Sequence, residues 1–144
     1  GPWRITWIKA TEHAPHQLLL GRGAGPATPL LSFERHVEVL WGPQARFVAI
    51  NDAYASTDSR VFLLRPEAPQ ARIELPSAAQ PIPPATLAGL HPDHQYLRAV
   101  RWLGDSLLEL RWEAYGEGRG VAASLRFHVR TGFEPSVSPT RLSN

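Results

Sequence analysis

The chain contains no cysteine. Structural disulfides, cysteine-ligated zinc and a thiol nucleophile are therefore excluded, although the absence does not select a compartment. Lysine is nearly missing too, since Lys9 is the sole lysine among 15 basic residues. Arginine-for-lysine bias fits a GC-rich genome better than a nucleic-acid footprint. The arginines are interspersed with glutamates, and the formal net charge is only +2. A phosphate-binding face would show a clustered basic stripe, so no nucleic-acid partner is expected. No apolar run approaches the roughly 20 residues that a membrane-spanning helix needs. The opening Gly1-Pro2 reads as a protease-cleavage scar, so a removed targeting segment is compatible with the sequence.

What is present is a chain of 144 residues with 43% hydrophobic and 19% charged side chains. That size and balance suit one folded domain over 1–144, large enough to bury a core without metal or disulfide staples. The pattern is β throughout. Its centre is His36–Pro66, where Val37, Val39 and Trp41 alternate with Glu38 and Leu40. A tight turn at Gly42-Pro43-Gln44-Ala45 leads to the apolar run Phe47–Ile50. A polar loop, Asn51–Ser59, precedes a third apolar run, Val61–Leu64. Period-2 alternation and short apolar runs between Gly, Pro, Asn and Asp are strand signals.

Earlier strands are expected at Arg4–Lys9, Gln17–Leu20 and Leu30–Phe33, separated by Thr11–Pro15 and the Gly/Pro loop Gly21–Pro29. A short strand at Ala71–Leu75 fits the Pro-rich stretch Glu67–Pro84. Pro83-Pro84 suits the start of one short helix near Ala85–Leu90, stopped by His91-Pro92. Strands at Tyr96–Leu103, Leu107–Ala114 and Val121–Arg130 follow, and 131–144 reads as a flexible Pro/Ser-rich tail. Trp3, Trp7, Trp41, Trp102 and Trp112 fall on alternating strand positions and are expected in the core.

The segments repeat weakly. Val37–Trp41, a turn and FVAIN are matched by Arg98–Trp102, a turn and LLELRW, each with a third strand after it. The segment WGPQARFVAIND resembles the W-S-P-D-G-x-x-[LI]-[AV] unit of bacterial WD40-like β-propeller blades. The resemblance implies four-stranded antiparallel blades and a scaffold that binds other macromolecules. Gln44-Ala45 stands where the family has an acidic residue and glycine. With ITWIK, QLLLG and PLLSF of the opening segment as a fainter third copy, three repeats also fall short of the usual ring of about 4–8 blades. The expected fold is thus all-β, with antiparallel blade-like sheets as in an incomplete propeller and one short helix. A looser similarity, in style, is to propeller-like periplasmic immunity proteins.

Several motifs are weighed against bland readings. Gly104-Asp105-Ser106-Leu107 matches the GDSL hydrolase tetrapeptide, but it lies between two strands, where Gly-Asp-Ser is turn chemistry. Asn51, Asp52 and Asp58 could offer oxygens to calcium, without EF-hand spacing. His13/His16 and His91/His94 lie in Pro-containing loops with no third zinc ligand in view. The glycines of Gly21–Gly25 and Gly116–Gly120 open no helix and read as turns. Glu109, Arg111, Glu113, Arg126, His128 and Arg130 form an outward mixed-charge face.

The functional expectation is a non-catalytic protein-binding module. In its sharpest form it is a bacterial immunity or inhibitor protein, periplasmic, that neutralises an effector. No catalytic residue, metal ligand or cofactor is assigned. Partner contact is expected from Asn51, Asp52, Tyr54, Asp58, Tyr115, Glu117 and Arg119, because loops on a rigid β frame carry recognition. The alternatives are a calcium-binding structural module or a serine hydrolase using Ser106. Exposed strand edges also make a homodimer a reasonable expectation.

Overall fold

The computed structural model describes residues 2–56, 58–76, 81–135 and 137–142. Gly1 of the opening dipeptide, Thr57 of the expected polar loop, residues 77–80 of the Pro-rich stretch and residues 136, 143 and 144 of the tail lie outside these. The fold is all-β with one short helix, as the strand patterning predicts. Strands β1 (Trp3–Ile8), β2 (His16–Arg22) and β3 (Thr28–Phe33) make a three-stranded antiparallel sheet. A second sheet holds β4 (His36–Trp41), β5 (Val48–Ala55), β6 (Asp58–Arg65) and β7 (Ala68–Glu74), paired in sequence as an antiparallel meander. After helix α1 (Pro84–Leu87) come β8 (Leu90–Trp102), β9 (Leu107–Gly116) and β10 (Arg119–His128), a second meander. The short β11 (Gly132–Phe133) and β12 (Thr140–Leu142) both pair with β10.

The β5–β6 hairpin is a middle layer. Val48, Ile50, Phe62 and Leu64 point into one core with Leu18, Leu20, Leu30, Leu31 and Phe33 of the first sheet. The intervening Ala49, Val61 and Leu63 point into the other, among Leu97, Leu108, Leu110, Trp112 and Leu125. Strands covered on both faces read as unbroken apolar runs rather than alternation. This explains Val48–Ile50 and Val61–Leu64 in the sequence.

Strand β8 crosses this layer obliquely. It meets β6 in parallel at a single pair, Asp58 with Gln95. The rest of the junction is made by side chains. The Ser59 hydroxyl donates to the Leu97 carbonyl at 2.9 Å and accepts from the Leu97 N–H at 3.0 Å. One strand over, the Asn51 amide donates to the Ala99 carbonyl at 2.8 Å and accepts the Ala99 N–H at 2.7 Å. At the far end the Trp102 indole donates to the Leu40 carbonyl at 3.0 Å. Asn51 and Ser59 therefore supply the donor and acceptor that a neighbouring backbone would supply in an ordinary ladder.

Several expectations are corrected. The stretch Asn51–Ser59 is not a loop; β5 runs on to Ala55 and β6 starts at Asp58. Its polar letters are used inside the sheet, Asn51 at the junction and Asp52 against Arg60. The helix ends at Leu87, and His91-Pro92 lies within β8, in an irregularity of register between Leu90 and Gln95 where a proline is tolerated. Within the expected flexible tail, Gly132–Phe133 and Thr140–Leu142 pair with β10 as β11 and β12. Of the tryptophans, Trp112 is buried and Trp102 half-buried against the core, but Trp7 and Trp41 are exposed. The turn at Pro43–Ala45 has both Gln44 (φ 57°) and Ala45 (φ 54°) in the left-handed region, which favours glycine.

Candidate functional site

The β framework brings the chain's three tyrosines to one edge. Tyr54 stands at the end of β5, Tyr96 in β8 and Tyr115 at the end of β9. Each hydroxyl is tied down: Tyr54 donates to Asp58, Tyr96 to the Ser56 carbonyl at 2.8 Å, and Tyr115 to Glu113 at 2.8 Å. The Tyr96 and Tyr115 rings meet edge to face with centroids 6.2 Å apart. The Arg60 guanidinium lies over the Tyr54 ring at 4.5 Å. Tyr54 and Tyr115 remain 40% and 37% exposed, so apolar area with a polar tip faces solvent.

Two open clefts flank Tyr96, sharing Ser59 and Leu97 on their walls. One, of about 320 Å³, is lined by His36, Glu38, Arg98, Arg111 and Glu113. The other, of about 330 Å³, is lined by Tyr54, Asp58, Arg60, Glu74, Gln95 and Trp112. The first cleft is internally paired. Arg111 bonds Glu113, Asn51 donates to Glu38 at 2.8 Å, and Arg98 approaches Glu38 at 3.8 Å. Bonding from Arg111, then from Tyr115, holds the Glu113 carboxyl below its ordinary value. The same contact raises Tyr115, because a phenol donating to a carboxylate is stabilised in its neutral form. Tyr54 is raised first by its bond to Asp58 and then by burial.

The seven expected contact residues separate by position. Tyr54 and Asp58 line the second cleft, and Tyr115 is joined to them through Tyr96. Glu117 is exposed at the β9–β10 turn. Asn51 and Asp52 are 8% and 1% exposed and are bonded inside the sheet, Asn51 to Ala99 and Asp52 to Arg60. Arg119 turns inward, donating to the Thr86 and Ala88 carbonyls at 3.1 and 2.6 Å, and anchors α1. Tyr96 and Trp112 carried no sequence signal for this role, because a strand tyrosine and a strand tryptophan look alike whether core or site.

The rival chemistries fare as follows. Asn51 faces the opposite side of the sheet from Asp52, whose Oδ2 takes Arg60 Nε at 3.1 Å, while Asp58 is occupied by Tyr54 and the Ser59 N–H. These oxygens do not converge on one cation. No cluster of three metal-ligating side chains occurs among the described residues. His16 accepts from the Trp7 indole and the Ala10 N–H through Nδ1. Gly104–Ser106 makes the β8–β9 turn, closed by the Leu103 N–H to the Leu107 carbonyl at 2.8 Å. His128 pairs in register with Leu107, next to Ser106, and its Nε2 lies 3.0 Å from Glu134. The outward charged face is paired in part, Arg101 of β8 with Glu109 across the strands and Arg111 with Glu113 along β9. No helix among the described residues is long and apolar enough to cross a membrane. No family model, curated protein or solved structure matches the chain.

Proposed function

We propose that this chain is a non-catalytic protein-binding module that engages its partner through the Tyr54–Tyr96–Tyr115 edge. The observation that carries the reading is the convergence of the three tyrosines from three separate elements, two of them exposed, beside two open clefts. Tyrosine contributes large contact area at low rotamer cost and is enriched at interfaces. Hydrogen bonds fix all three hydroxyls, so the surface is ordered before a partner arrives. The finer reading, a bacterial immunity or inhibitor protein acting in the periplasm on an effector, rests on the blade-like segment. Two successive antiparallel meanders, β4–β7 and β8–β11, are in keeping with it.

The experiment is affinity capture from the native bacterium with the natural chain and a Tyr54→Ser/Tyr115→Ser variant of matched thermal stability. One stoichiometric partner retained by the natural chain and lost by the variant is the expected result. A partner that is toxic alone and harmless when co-expressed adds the immunity role. Equal recovery by both chains, or none by either, overturns the tyrosine edge as a protein-binding surface.

A further inference from the structure

The second cleft holds one buried group that the described residues leave without a partner, and two carboxylates, of which Asp58 already accepts from Tyr54 and the Ser59 N–H. At its floor is Trp112, 1% exposed, whose indole N–H has no hydrogen-bond partner among the described residues. A buried N–H without an acceptor costs free energy that an incoming oxygen would recover. At its rim are the carboxylates of Asp58 and Glu74 with the rings of Tyr54 and Tyr96. The cation in this cleft, Arg60, is already committed. It pairs with the buried Asp52 and lies over the Tyr54 and Phe62 rings at 4.5 and 5.0 Å. The cleft opens on the edge of β6 away from β5, between its single pair with β8 at Asp58 and the Val61 carbonyl, which accepts the Leu75 N–H at 2.9 Å.

We propose that this cleft receives an arginine residue of the protein partner. The planar guanidinium suits the Asp58 and Glu74 carboxylates and can stack on the tyrosine rings. The same residue's main-chain carbonyl supplies the acceptor that the Trp112 N–H lacks. One residue thus brings a cation to the rim carboxylates and an oxygen to the floor. Lysine offers only a point charge, and a neutral isostere offers no charge at all. The inference rests on the protein-binding reading above and names the chemistry that reading leaves open.

The test is a titration of the ¹⁵N-labelled full chain with N-acetyl-arginine-N-methylamide, following the Trp112 indole N–H resonance identified with Trp112→Phe. A saturable shift of that resonance is expected. Apparent affinity should fall by about tenfold in Asp58→Asn/Glu74→Gln, the loss expected for charge-assisted bonds. In Asp58→Asn the amide oxygen keeps the acceptor for the Ser59 N–H and the amide NH2 can donate to the Tyr54 hydroxyl oxygen, and an unchanged melting temperature confirms that the fold is preserved. The citrulline analogue should leave the resonance still. An unmoved resonance, or an equal shift with citrulline, overturns the arginine site. If Tyr54- and Tyr115-dependent capture persists alongside a silent Trp112, the protein-binding reading stands and only this inference fails. A Trp112 response without any captured partner keeps the cation site and removes the protein partner.

Discussion

Two junctions hold this molecule together in different ways. Between β9 and β10, backbone pairs with backbone from Leu107–His128 through Gly116–Arg119 without a break in register. Between β6 and β8 there is one backbone pair, and Asn51, Ser59 and Trp102 complete the junction with side-chain atoms. A backbone ladder is indifferent to sequence, because every non-proline residue carries the same donor and acceptor. A side-chain junction depends on particular residues. Single substitutions should therefore matter more at the β6–β8 crossing than along the β9–β10 ladder.

The largest effect is expected at Asn51. Asn51→Ala leaves the Ala99 N–H and carbonyl buried without partners, a cost of about 3 kcal/mol from two unsatisfied groups. Urea denaturation should show it as a lower midpoint, and a change below that of an average surface mutation would refute the side-chain junction. Gly116, at the end of that ladder, is constrained sterically from the β8 side. A Cβ on Gly116 would stand 2.3 Å from the Gly89 carbonyl oxygen, so Gly116→Ala must push β8 from β9 at a cost of about 2 kcal/mol. Thermal melts of that variant beside Gly104→Ala, which has open space, separate the clash from general loss of glycine. Ser59→Ala removes one donor and one acceptor at a half-buried position and should cost about 1–2 kcal/mol. Its effect should be less than additive with Asn51→Ala, since both close one junction.

Acidity sharpens the contrast most gently. Asn51, Ser59 and Trp102 carry no titrating group, whereas the face of the β8–β9–β10 meander uses Glu113. Its folded value lies below the ordinary 4.5, so its stabilising share is complete above that pH. The share is lost as pH falls through the lower folded value. Tyr115 lies above the ordinary 10.0, so its share is held below that pH and lost as pH rises through the folded value. Stability against pH for natural chain and Glu113→Gln should diverge above the acid limb and merge within it. Parallel curves would remove Glu113 from the account.

Strand positions were legible because apolar spacing reports burial directly. The runs Val48–Ile50 and Val61–Leu64 even carried the signature of two covered faces. The polar residues between them were not legible. Asn51 and Asp52 carry the letters of a turn, and only the crossing of β8 and the cross-strand Arg60 give them partners inside a sheet. His91-Pro92 misled in the same way, since proline in a strand depends on a local irregularity of register. Of the site, Tyr54, Asp58 and Tyr115 could be named from their polar surroundings. Their meeting through Tyr96 joins segments 42 positions apart (Tyr54 to Tyr96) and 19 apart (Tyr96 to Tyr115), and the Trp112 N–H beneath comes from a third place in the chain.

The double-sided β5–β6 hairpin also sets how the molecule comes apart. A chain with two separate cores invites two melting steps, one for each. Here the same short hairpin supplies a wall to both, so its loss opens both at once. Unfolding should accordingly be a single cooperative event, with calorimetric and van't Hoff enthalpies in agreement.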